Sequence, residues 1–151
     1  MQSNTSAEQT INMTTSKTSP KQSTISQMKS NLEQAREFRN SFNVKNSKTL
    51  SSRNMQKNLI VEEFKEFLEA EGMLFRNSAA LHEDAIKELS DLVYVCYQYA
   101  ANMGWDLDEA LRRVHQSNMS KLDEDGKPTY RADGKVLKSA NYQPPTLSDL
   151  V

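Results

Sequence analysis

Glu88-Leu89-Ser90-Asp91-Leu92-Val93-Tyr94-Val95-Cys96-Tyr97-Gln98-Tyr99-Ala100-Ala101-Asn102-Met103 is the stretch that decides the fold. From Leu89 to Ala101 only Ser90, Asp91 and Gln98 are strongly polar, so a helix here is apolar nearly all round and is expected to be buried on most sides. Its longest apolar run, Leu92 to Tyr97, falls far short of the roughly 20 residues that cross a bilayer. Upstream, Leu81, Ala85 and Leu89 join Leu92, Val93, Cys96 and Ala100 at helical spacing, and Gly104 supplies a stop. The spacing predicts a helix from about Ser78 to Met103.

Three more helices follow from the same period. The second starts after Ser51 or Ser52, either able to cap it, and stops near Gly72, with Ile60, Val61, Phe64, Phe67 and Leu68 on one side. The first covers about residues 26–43 through Met28, Leu32, Ala35, Phe38 and Phe42. The fourth opens at Asp106, where Asp106-Leu107-Asp108-Glu109 sets Glu109 at a capping-box position, and runs to about Lys121. Residues 1–27 are Ser, Thr, Asn, Gln and Lys with few apolar residues and are expected to be disordered. Residues 28–122 form the helical core, and 123–151 a turn-rich tail with a small hairpin expected over Tyr130 to Val136. The fold class is all-α.

With 151 residues the chain is bounded to one domain with tails. Lys+Arg at 19 against Asp+Glu at 20 gives a net charge of -1, so no global positive field gathers a nucleic-acid polymer. One cysteine, Cys96, cannot form an internal disulfide, which fits a reducing compartment. It falls on the core stripe and reads as a small hydrophobe rather than a nucleophile. No secretory signal or membrane segment is evident, and the first arginine is Arg36, which weighs against an organelle address. A cytoplasmic location is the expectation.

Two acidic pairs carry the chemistry. Residues three apart on a helix lie one above the other, so Glu63 with Glu66, and Glu88 with Asp91, each project two carboxylates to one side. Taken alone, Glu62, Glu63, Glu66 and Glu69 lie roughly opposite the apolar stripe of their helix and read as a solvated face. Asp91 differs, because a carboxylate on a buried helix needs a partner. Either a helix lysine or arginine neutralises it, or both pairs share a cation. Four carboxylates without histidine or thiolate favour a hard ion, Mg²⁺ or Mn²⁺. His82 and His115 are isolated, and no Glu-x-x-His motif, phosphate-binding glycine loop or EF-hand is present. On the fourth helix Leu107, Leu111 and Val114 define an inward stripe that Asn118 and Lys121 continue, offering an amide and an ammonium to a phosphate.

Glu62-Glu63-Phe64-Lys65-Glu66 followed by Glu88-Leu89-Ser90-Asp91 resembles the Glu-Glu-x-x-Glu and Glu-x-x-Asp signature of the MazG-like, all-α nucleoside triphosphate pyrophosphohydrolases. Leu92 to Val95, Gly104 and Val114-His115-Gln116-Ser117-Asn118-Met119-Ser120-Lys121 extend the resemblance over about residues 28–145. It implies a four-helix MazG-like bundle and Mg²⁺-dependent cleavage of a (deoxy)nucleoside triphosphate between the α and β phosphates, giving monophosphate and pyrophosphate. Glu63, Glu66, Glu88 and Asp91 would hold metal, and Glu62 would be a water-activating base or an outer ligand. Asn118 and Lys121 would contact sugar or phosphate, and Tyr94 would pack against the nucleoside. Dimers or tetramers are the family's assemblies, which agrees with the all-round apolar third helix. Two alternatives stand beside this reading: a phosphoribosyl-ATP pyrophosphohydrolase using the same cage, and a non-enzymatic helical interaction module with merely solvated acidic faces.

Overall fold

The structure is a computed structural model that describes residues 28–151, so the disorder expected for residues 1–27 lies outside the described residues. Four helices follow in order: α1 (Asn31–Ser41), α2 (Leu50–Glu71), α3 (Ala79–Met103) and α4 (Leu107–Met119). Short 3-10 turns lie at Leu74–Arg76 and Ser148–Leu150. The all-α class expected from the hydrophobic period is the one observed. Among the described residues no helix is long and apolar enough to cross a membrane.

α3 is the central element, with α2 packed along it on one side and α1 on another. Leu32 and Ala35 of α1 meet Tyr97, Ala100 and Ala101 of α3 in the core, and Trp105 and Leu107 close its end. α1 is shorter than expected and its inward face is different. Ser30 caps it, accepting from Glu33 N while the Glu33 carboxylate accepts from Ser30 N, and this reciprocal cap starts the helix at Asn31, five residues later than expected. Met28 therefore lies outside the helix and is exposed. The buried positions are Leu32, Ala35 and Arg39, whereas Phe38 and Phe42 stack on each other at 4.4 Å on the outer side.

Arg39 is buried without a carboxylate. Its Nη2 donates to Asn102 Oδ1 (2.8 Å) and Lys45 O (3.1 Å), and its Nε to Asn46 Oδ1 (2.6 Å). Asn102 in turn accepts from Ser47 N and donates to Ser47 O, so one amide holds α1, α3 and the loop before α2 together. That loop ends at Thr49, which caps α2 through Ser52 N, two or three residues ahead of the expected caps Ser51 and Ser52. Gly104 stops α3 at φ 77°, a conformation that suits glycine.

The fourth helix has the expected start, with Asp106 accepting from Glu109 N. The capping box is only half formed, because the Glu109 carboxylate turns to Arg112 and Arg113. Leu111, expected to point inward, is half exposed, and Ser117 is the buried residue of this helix. The expected hairpin reduces to a single antiparallel bridge, Tyr130 with Val136, closed by Arg131 N to Lys135 O. Beyond it the tail returns along α4. Gln143 N donates to Ser120 Oγ, Ser139 Oγ to Leu122 O, and Asp106 N to Leu150 O.

Candidate metal centre

The face that α2 turns to α3 runs through Ser52, Gln56, Leu59, Ile60, Glu63, Phe67 and Ala70, all buried or half-buried. Glu63 therefore belongs to the packing face, and its expected place on the solvated side is corrected. The complement is also corrected: Val61, Phe64 and Leu68, counted with the core, are about half exposed. The period had located an apolar arc of α2 without locating its edge.

This register brings Glu63 against the acidic pair of α3. Glu63, Glu88 and Asp91 each place one carboxylate oxygen so that all three lie within 4.8 Å of one another. Burial, then repulsion from Glu66, Asp91, Glu62 and Glu88 in that order, raises the Glu63 carboxyl above its ordinary value. All five acids thus share one neighbourhood, although Glu62 and Glu66 are exposed. Glu88 is more enclosed than Asp91, its side chain 12% exposed against 44%, and its Oε2 is buried with no hydrogen-bond partner. Three converging oxygens plus an orphaned buried carboxylate oxygen fit a hard divalent cation, which takes oxygen ligands and relieves the repulsion.

One residue at this site was not singled out from sequence. Lys87 Nζ lies 2.8 Å from Glu88 Oε1 and 3.0 Å from Asp91 Oδ2, the helix lysine that the neutralised alternative for Asp91 requires. Its spacing of four from Asp91 was the available signal.

The remaining site residues lie elsewhere. Tyr94 packs edge-on against Phe38 of α1 at 5.9 Å and lines a groove of about 480 Å³ with Asn31, Gln34, Leu89, Ser90 and Tyr97. Lys121, just beyond α4, donates to Asn118 Oδ1 at 2.7 Å, and among the described residues it forms no ion pair with the acids. Burial raises the Cys96 thiol above its ordinary value, away from thiolate character.

Residues 32–118 match the family described as phosphoribosyl-ATP pyrophosphohydrolase. No curated protein matches the chain. The match covers all four helices but for the first residue of α1 and the last of α4, and so includes every acidic residue of the cluster. It narrows the MazG-like resemblance, since the family matched is a related all-α pyrophosphohydrolase family and not MazG itself. On this match, spanning more than half of the sequence, the chain belongs to the phosphoribosyl-ATP pyrophosphohydrolase family.

Proposed function

We propose that the protein hydrolyses the α–β phosphate anhydride of a nucleotide with a divalent metal, and that phosphoribosyl-ATP is the first substrate to test. The convergence of Glu63, Glu88 and Asp91 within a chain of this family carries the reading. Glu63, Glu88, Asp91 and, from the rim, Glu66 would hold Mg²⁺, with Mn²⁺ a substitute. When bound, the metal neutralises charge gathering on the phosphates and makes a coordinated water more acidic. Glu62, exposed beside Glu63, accepts the proton of the attacking water. The Tyr94 groove, with the side chains of Asn31, Gln34 and Ser90 at its walls, receives the base. Asn118 and Lys121 hold phosphate or sugar oxygens.

Assembly is part of the proposal. Val61, Phe64 and Leu68 on α2, and Ile86, Leu89 and Val93 on α3, leave two apolar stripes exposed. Exposed apolar stripes of this kind support a homo-oligomer, in which the amide and ammonium at the end of α4 would serve a neighbouring copy's acids. Its location is proposed to be the cytoplasm.

A second reading keeps an ordinary (deoxy)nucleoside triphosphate as substrate, for which Asn118 and Lys121, paired at the end of α4, offer an amide and an ammonium to phosphate oxygens. The test is pyrophosphate release from phosphoribosyl-ATP and from a nucleoside triphosphate panel with Mg²⁺, run beside Glu66→Ala and Asp91→Ala. Release from phosphoribosyl-ATP alone, abolished in both variants, supports the first reading, and release from a triphosphate supports the second. Folded protein that releases nothing from any of them leaves the interaction module.

A further inference from the structure

Three carboxylates drawn within 4.8 Å repel one another unless positive charge stands among them, with or without a metal ion. Lys87 supplies that charge by bridging Glu88 and Asp91. The arrangement has the features of an exchangeable ligand. Its ammonium sits on a flexible four-carbon stem whose side chain is 62% exposed, so withdrawal needs only a change of rotamer. It engages one oxygen of Glu88 and leaves the other, Oε2, buried and unpartnered. Among the described residues it makes no ion pair with Glu63, the third member of the cluster. An ammonium thus satisfies part of what a divalent ion would satisfy in full.

We propose that Lys87 is the resident counter-cation of the centre, displaced when a divalent ion binds. The proposal rests on Glu63, Glu88 and Asp91 being metal ligands, and it adds that metal loading is an exchange of one cation for another. Two effects of opposite sign follow from removing the ammonium. Metal-free protein loses its neutralising charge and becomes less stable, while the divalent ion no longer competes for Glu88 and Asp91 and binds more tightly. A lysine that merely decorates the surface would produce neither.

The experiment is Mn²⁺ binding to the full chain, followed by the loss of the free-ion electron paramagnetic resonance signal, in wild type, Lys87→Met, Lys87→Gln and Lys87→Arg. Melting temperatures are taken with and without Mn²⁺. The methionine and glutamine variants are expected to bind about fivefold more tightly, close to 1 kcal/mol. Their metal-free melting temperature falls and their Mn²⁺-induced rise grows, whereas the arginine variant stays near wild type. Unchanged or weaker Mn²⁺ binding in both neutral variants, with wild-type binding intact, overturns the exchange and leaves the metal centre standing. Absence of Mn²⁺ binding in wild type overturns the metal centre and the exchange together.

Discussion

Arg113 and Asp149, 36 positions apart, meet through two parallel charge-assisted hydrogen bonds, Nη1 to Oδ1 at 2.6 Å and Nη2 to Oδ2 at 2.8 Å. Arg113 also donates to Glu109 Oε1 and to Thr146 O, which makes it the post to which the tail is tied. Arg112 and Arg113 hold the Glu109 carboxyl down to about 2, and Arg113 lowers that of Asp149. Both folded values lie below the ordinary ones, so this support is present above them and disappears as pH falls through about 4 towards 2. Amides at residues 147–150 should be protected at pH 6, measured against their intrinsic exchange rates, and lose that protection as the pH approaches about 2, where exchange becomes fast relative to the intrinsic rate. Asp149→Asn should show the fast exchange already at pH 6, and slow exchange in that variant would sink the idea.

Replacing Asn102 by Ala removes one of the four acceptors of Arg39 and both bonds to the Ser47 backbone, leaving a buried guanidinium short of a partner. The expected loss is about 2–4 kcal/mol in urea denaturation. A loss below about 1 kcal/mol would mean that water replaces the amide.

Glu88→Gln tests the cage without removing volume. Pyrophosphate release should fall about 100-fold or more, near 2.7 kcal/mol of barrier. Wild-type protein at a Mg²⁺ concentration 100 times its dissociation constant should gain about 2.7 kcal/mol of stability, and the variant should gain little. Equal Mg²⁺ stabilisation in both proteins would remove Glu88 from the ligand set.

Phe64→Asp places a charge on the exposed α2 stripe without entering the core. Helix content should be retained, while the mass measured by light scattering at micromolar protein drops from oligomer to monomer. A wild-type monomer under the same conditions would end the assembly proposal.

Element type was readable because α3 carries a long uninterrupted apolar pattern and Gly104 punctuates it. What periodicity could not settle was which of two adjoining arcs faces inward. On α1 the choice fell on Phe38 and Phe42, yet Arg39 is buried, because a guanidinium with four amide and carbonyl acceptors in reach is satisfied there. On α2 the acids looked solvated as a group, and only the packing against α3 separates Glu63 from Glu62 and Glu66. The α3 acids were legible because Glu88 and Asp91 stand on a helix with few other polar residues. The tail was the least legible part: its anchors, Arg113 with Asp149 and Ser120 with Gln143, are long-range pairs that no local pattern announces.

The Arg39–Asn102 network also sets alignment. Apolar contacts between two helices tolerate sliding, but the directional bonds of the buried Arg39 guanidinium to Asn102 and Gln98 do not. Moving α1 by one turn, about 5.4 Å, would carry the Arg39 guanidinium out of reach of Asn102 Oδ1. The network therefore acts as an index mark between α1 and α3, and the spacing from Asn31 and Gln34 to Tyr94, and onward to Asp91, is fixed at the opposite end of the helix pair from the chemistry it serves.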